Sequence, residues 1–188
     1  MTNSRYTISP TKLDGVMAVT RKRVGDERGY LERVYCDREL QGTGFNRPIR
    51  QINRTVTREV GVVRGLHFQR TPYAEGKFVS CVRGSVFDVA VDLRRDSPTF
   101  LRWHGEVLSD GNATSLYIPE GFAHGFQTLT DNVEMLYLHT EYYTPEAEGG
   151  LNALDPVLAI DWPMPPVGMS LRDRAHPMLT PEQIGTDR

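Results

Sequence analysis

Short runs that alternate apolar and polar residues dominate the chain. In GKFVSCVRGSVFDVAVDLR, Phe78, Val79, Cys81 and Val82 predict one strand. Arg83-Gly84 predicts a turn, and Val86, Phe87, Val89, Val91 and Leu93 a second strand with Asp88 and Asp92 interleaved. SLYIPEGFAHGFQTLTD predicts two short strands about a Pro-Glu-Gly turn. VEMLYLHTEYY, Val133 to Tyr143, predicts a further strand with Met135, Tyr137 and His139 on one face and Glu134, Leu136 and Leu138 on the other. Helix signals are scarce: TPEQIG near the C-terminus has Thr180 as cap and Pro181 at the first helical position. Past Tyr143 the chain is rich in Pro and Gly, which predicts an ordered wrap anchored by Leu151, Leu154, Ile160 and Trp162. Many short strands punctuated by glycine and proline make this an all-β barrel or sandwich.

One strand-like run breaks the pattern. VVRGLHFQ carries Arg64 and His67 within an apolar stretch, with Gly65 between them. If the run is extended, Leu66 and Phe68 share one face and His67 and Gln69 the other. Gly65 permits a bulge or the close approach of another group.

Composition narrows the options. The 188 residues suit one domain, with 39% apolar and 24% charged residues. A formal net charge of -2 gives no general attraction to nucleic acid. The cluster Arg21, Lys22, Arg23 reads as a solvated face, although a few local arginines suffice for a small anionic substrate. Cys36 and Cys81 provide neither a disulfide framework nor a metal-ligand spacing, and both are expected to be reduced. The N-terminus lacks the apolar core of a signal peptide, and no run is long enough to cross a membrane, so the expected location is the cytoplasm.

Six polar residues need a reason to be where they are. His67 and His124 offer a base, Lys77 a cation, and Asp88, Asp92 and Asp173 carboxylates that could orient a histidine. Asp88 and Asp92 could equally pair with Arg83, Arg94 or Lys77. Metal-binding small barrels often use two neighbouring histidines; here the second position is Gln69, so no metal site is expected. His104, His139 and His176 read as surface or structural.

Six motifs then carry a resemblance. RGLHFQ with the later lysine, GSVFDVAVDLRRDSPTF, YIPEGFAHGF, YYTPEAEGG, DPVLAIDWP and MSLRD resemble the dTDP-4-dehydrorhamnose 3,5-epimerase family, in order, from about Gly25 to Asp173. The resemblance implies a cupin-like jelly-roll β-barrel with short peripheral helices. It places the barrel core at about residues 25–143 and a wrapping segment at 144–188. It implies a homodimer with exchanged N-terminal strands, no metal or organic cofactor, and a dTDP-linked 4-keto-6-deoxy sugar as substrate. By the same resemblance His67 is the general base, Asp173 its partner carboxylate, Tyr137 the general acid and Lys77 the cation near the carbonyl oxygen. His124 and Arg64 would line the sugar and diphosphate region. Arg28, Gln51 and Asn53 would bind the nucleotide, partly across the dimer, and Tyr143 and Glu148 would shape the pocket.

Departures loosen the specificity. Leu31 replaces an aromatic and Arg33 a common glutamate, unless Glu32 substitutes after a local shift. Glu75 stands where glutamine is usual, Leu138 where lysine is frequent, and Arg172 where the late motif has lysine. Inversion of carbons 3 and 5 is the favoured reaction. Inversion of carbon 3 alone is the alternative, and a non-catalytic nucleotide-sugar-binding barrel is the alternative of a different class.

Overall fold

The alternating runs become antiparallel strands in the computed structural model, which describes residues 4–180. In chain order these are β1 (Tyr6–Pro10), β2 (Met17–Arg21), β3 (Val24–Asp26) and β4 (Gly29–Leu31), then the short helix α1 (Asp37–Leu40). There follow β5 (Gln51–Thr57), β6 (Val63–Gln69), β7 (Lys77–Arg83), β8 (Ser85–Asp92), β9 (Trp103–Ser109) and β10 (Thr114–Ile118). β11 (Phe122–Thr128), β12 (Val133–His139), β13 (Glu148–Gly150) and the helix α2 (Leu171–Arg174) complete the set. The expected C-terminal TPEQIG helix lies beyond the described residues apart from its cap.

Two sheets form a jelly roll. One runs β1-β2-β10-β7-β12-β5 and the other β13-β6-β11-β8-β9, with β3-β4 as a separate hairpin. No ladder joins them, so the expected closed barrel is corrected to two open sheets. The cause is local. The chain changes sheet at the β7–β8 and β10–β11 corners, where Gly84 (φ 78) and Gly121 (φ 85) adopt the left-handed turn conformation. The framework also exceeds the 25–143 span, since β1 and β2 precede it and β13 follows it.

Apolar faces explain the stacking. Val79, Cys81, Leu116 and Met135 meet Val86, Ala90, Leu108, Phe122 and Phe126 between the sheets. On the outer side of the five-stranded sheet, Val63, Leu66, Val89 and Val91 are covered by Leu151, Ala153 and Leu158 of the C-terminal wrap, with Ile160 and Trp162 alongside. Trp162 Nε1 donates to the Ala153 carbonyl at 2.8 Å. Leu154, an expected anchor, is instead 50% exposed. Leu138, the departure from lysine, is buried on the outer side of the six-stranded sheet with Phe45, Phe78 and Tyr117. Such burial is the main favourable term in folding.

The strand expected to reach Tyr143 stops at His139. Both neighbours run out there, with His139 opposite Gln51 of β5 and Lys77 of β7. Thr140 then turns away, its hydroxyl accepting from Gly76 N at 2.7 Å. Among the described residues, no helix is long and apolar enough to cross a membrane.

Asp92 pins the corner beside the Pro-Glu-Gly turn. It is fully buried and accepts from Arg94, Ser97 and Thr99. Burial alone would raise its carboxyl, but these donors hold it down at about 2. A depressed carboxylate stabilises fully above its ordinary range near 4 and loses that stabilisation as the pH falls through about 2. Asp92→Asn is therefore expected to lower the urea-unfolding free energy by about 2 kcal/mol at pH 7, and the gap to wild type should close as the pH is taken from 4 towards 2.

Candidate active site

Arg64 and His67 are three residues apart, so strict alternation would send them to opposite faces of β6. The β6–β11 register resolves this. His67 faces His124 and Arg64 faces Phe126, so three steps on β6 match two on β11. Gly65 supplies the irregularity at φ 111. A Cβ on Gly65 would lie 2.6 Å from the His124 carbonyl oxygen, and one on Gly125 would lie 2.6 Å from that of Arg64. Only two facing glycines let these backbones approach so closely. Arg64 and His67 consequently line one cavity of about 190 Å³, with Asn53, Thr55, Lys77, His124, Tyr137 and His139. The cavity lies between the sheets, with β6 and β11 on one wall and β5, β7 and β12 on the other.

His67 meets Asp173 across the fold. Its Nε2 lies 2.8 Å from Asp173 Oδ1, while Gly65 N donates to Oδ2 at 3.4 Å. Ser170 caps α2 by accepting from Asp173 N, which fixes the carboxylate's backbone. Burial alone would raise Asp173, but the His67 hydrogen bond and charge, with the Gly65 and Ser170 contacts, hold it below the ordinary carboxylate range. An ionised Asp173 accepts the Nε2 proton, which leaves Nδ1 as the basic nitrogen of neutral His67. Arg172 Nη2 approaches Nε2 at 3.2 Å, but its shorter contact is to Glu148, at 2.9 Å from Nη1.

The other histidines of the cavity, and Lys77, are paired with carboxylates too. His124 Nε2 donates to Asp88 at 2.9 Å, so Asp88 serves this histidine rather than Arg83, Arg94 or Lys77. Asp92 does pair with Arg94. The Tyr137 ring stands edge-on to His124 and stacks on His139. Burial raises the Tyr137 hydroxyl well above its ordinary value, so it keeps its proton. Lys77 Nζ lies 3.0 Å from Glu75, which also contacts His139 Nδ1 at 2.7 Å.

The remaining expected residues divide. Asn53 lines the cavity. Gln51 instead accepts from Tyr143 N at 2.9 Å, outside it. Tyr143 is exposed, and its hydroxyl donates to Glu148, which joins Arg172 at the rim beside His67. Arg28 sits on the exposed β3–β4 hairpin, 85% exposed and paired with Asp26, away from the cavity in this chain. Glu32 is committed to Arg21 and Arg23, and Arg33 to Glu39.

Sequence reasoning passed over His139 and His176. His139 lines the cavity. His176 packs edge-on to His67, its Nε2 3.8 Å from Asp173. Among the described residues, His67, Asp173 and His176 form the one group with metal-ligand spacing. The Arg172 guanidinium beside His67 opposes a cation there. Gln69, the residue in the position of a second histidine, bonds the Tyr73 and Tyr142 carbonyls and Thr144 N.

Fold and site together define a jelly roll whose cavity between the sheets gathers histidine, tyrosine, lysine and arginine side chains, the groups that acid–base chemistry uses. A family model described as dTDP-4-dehydrorhamnose 3,5-epimerase matches residues 10–181. The dTDP-4-dehydrorhamnose 3,5-epimerase of Salmonella typhimurium is 43% identical over 171 residues, 90% of this chain and 93% of that protein. The dTDP-4-dehydrorhamnose 3-epimerase of Streptomyces niveus is 41% identical over 169 residues, 89% of this chain and 81% of that protein. A crystal structure of the 3,5-epimerase from Legionella pneumophila in complex with dTDP-4-keto-L-rhamnose superimposes with a TM-score of 0.88 at 39% identity, covering 95% of this chain and 96% of that one. The chain belongs to the dTDP-4-dehydrorhamnose 3,5-epimerase family.

The paired glycines give a structural test. Gly65→Ala adds a Cβ that meets the His124 carbonyl and Gly125 Cα, at a positive φ. Thermal unfolding should report a loss of about 2–3 kcal/mol, and Gly125→Ala should cost a similar amount by pressing on the Arg64 carbonyl and Leu66. Wild-type stability in both would show that the strands separate without cost.

Proposed function

We propose that the chain inverts carbons 3 and 5 of a dTDP-linked 4-keto-6-deoxyhexose through enolate intermediates. One observation carries the reading: His67 and Tyr137 face the same cavity from opposite sheets. A base on one wall and an acid on the other are what inversion of a carbon acid needs.

The 4-keto group acidifies the hydrogens on carbons 3 and 5. His67 Nδ1 removes one, and Asp173 stabilises the imidazolium that results and fixes its tautomer. The electron pair of the broken C–H bond moves onto the carbonyl oxygen, where Lys77 offers its ammonium. Tyr137 returns a proton from the other face. Burial favours its neutral form, which suits a donor whose acceptor is a strongly basic enolate carbon. No step calls on a metal or an organic cofactor.

Arg64 and His124 line the sugar and diphosphate region, and Asn53 the way to the nucleotide. Gln51, Tyr143 and Glu148 shape the rim through their mutual hydrogen bonds. Arg28 acts across a homodimer. That homodimer exchanges its N-terminal strands, and the exposed β3–β4 hairpin, with Val24, Tyr30 and Leu31, offers apolar surface to the partner. The free cysteines Cys36 and Cys81 accord with a cytoplasmic enzyme. Inversion of carbon 3 alone is the second reading, favoured by the likeness to the Streptomyces niveus 3-epimerase; the same residues serve it, with the sugar reprotonated at one centre only.

Proton NMR of dTDP-4-keto-6-deoxyglucose in deuterated water separates the readings. Loss of both the carbon 3 and carbon 5 proton signals is expected with wild type and not with His67→Ala. Loss at carbon 3 alone selects the single inversion, and loss at neither, with folded protein, overturns the functional reading. In the same assay Asp173→Asn should slow exchange by about 10²-fold or more, with dTDP affinity kept.

A further inference from the structure

His176 has no task in the chemistry above, yet it packs directly on the base. Its ring stands at 75° to that of His67, with the centroids 5.7 Å apart. This is an edge-on contact at ordinary aromatic spacing. His176 Nε2 is buried and has no hydrogen-bond partner; Asp173 Oδ1 is 3.8 Å away, beyond hydrogen-bond reach. A buried ring nitrogen left unpaired costs free energy, so the surroundings hold the ring there. Asn152 Nδ2 donates to the His176 carbonyl at 3.2 Å, and Asn152 N donates to that of Pro177 at 3.4 Å. Just upstream, Gly150 of β13 lies opposite His67 in register. A Cβ on Gly150 would come within 2.2 Å of His176 Cε1 and Nε2. Glycine at this position is what lets the second imidazole reach the first.

That contact supplies what the Asp173 bond lacks. The torsion that turns a histidine ring is broad and soft. One hydrogen bond from His67 Nε2 fixes the tautomer but sets the plane of the ring only loosely. Arg172 approaches the same nitrogen and adds little constraint on the plane. Nδ1 is the atom that must meet the substrate hydrogen, and it sweeps as the ring turns. A second ring packed edge-on restricts that turn. Burial, and then the charge of the neighbouring His67, hold His176 below the ordinary histidine range, so it stays neutral beside an imidazolium.

We propose that His176 is a positioning residue for the base: seated over Gly150, it fixes the plane of the His67 ring so that Nδ1 points at the substrate carbon. The proposal rests on the epimerase reading of the same cavity. His176 is not among the side chains that line that cavity, so it acts through His67 and not on the sugar. It carries no proton in the reaction. What the role needs at this place is bulk against the His67 ring, and the imidazole nitrogens of His176 add nothing to it.

The test is steady-state kinetics of solvent exchange into dTDP-4-keto-6-deoxyglucose for wild type, His176→Ala, Gly150→Ala and the double variant, with melting temperature and dTDP affinity as controls. His176→Ala is expected to lower kcat by about tenfold, with KM within about threefold of wild type, because a misdirected base costs rate and not affinity. Gly150→Ala should give a similar loss by displacing the ring; Gly150 is not at a positive φ, so its backbone suits alanine. The double variant should be no slower than His176→Ala, since the added methyl then has no ring to displace. His176→Leu, of similar volume but without a nitrogen, should recover most of the loss. Wild-type kcat in His176→Ala, a loss confined to KM, losses that multiply in the double variant, or His176→Leu as slow as His176→Ala would overturn the proposal. If His176→Ala fails to fold, Gly150→Ala decides, and wild-type kcat there would overturn it. Absence of exchange in wild type would instead overturn the epimerase reading, and this inference with it.

Discussion

The close approach of Gly65 and Gly125 is the constraint on which the site depends. Each glycine leaves space that a Cβ would fill with the other strand's backbone. The irregularity they permit makes β6 spend an extra residue between His67 and Arg64. A regular strand would present one of these side chains to the cavity and the other to the far side. The same irregularity turns Gly65 N towards Asp173, so the carboxylate that holds His67 also holds the bend that presents it.

Charge inside the cavity is organised in pairs. His67 has Asp173, His124 has Asp88, and His139 has Glu75. An unpaired charge in such a place would be costly, and the usual remedy is to lose it by protonation or deprotonation. Pairing each histidine with a carboxylate lets the cavity hold several titratable rings without an accumulation of positive charge before the substrate arrives. Arg64 is the lining cation with no carboxylate partner among the described ion pairs, which is where an anionic diphosphate has most to gain.

Local signals were legible in the sequence wherever one residue type dictates one geometry. The Arg83-Gly84 and Pro-Glu-Gly turns, the face shared by Met135, Tyr137 and His139, and the special place of Gly65 all follow from backbone sterics and period-two alternation. The sheet arrangement was less legible, because a tight turn looks the same whether it joins two strands of one sheet or carries the chain to the other. Leu154 failed as an anchor for a related reason: in an irregular wrap, no periodicity says which apolar residues point inwards. The cavity residues of the resembling motifs were found by their match to a pattern. His139 and His176 were missed because their partners, Glu75 and Asp173, are set by tertiary packing, and neither histidine belongs to a recognisable motif. The signal available for His139 was the conjunction of its inward face on β12 with the unusual Glu75, which only the register with Lys77 turns into a contact.

The C-terminal wrap is more than a cover. Asp173 lies 106 residues from His67 along the chain, and a helix of four residues delivers it. So short a helix has little stability of its own. Its placement comes from the Ser170 cap and from the apolar anchors upstream, where Leu151, Ala153 and Leu158 seal the outer side of the five-stranded sheet. Asn152 ties that anchored stretch forward to the Arg174 and His176 carbonyls, on either side of the helix end. Burial on the sheet's outer face therefore sets a hydrogen bond at the cavity. A defect in the wrap should act on the orientation of His67 while leaving the opposite wall, with Lys77, Tyr137 and His139, intact.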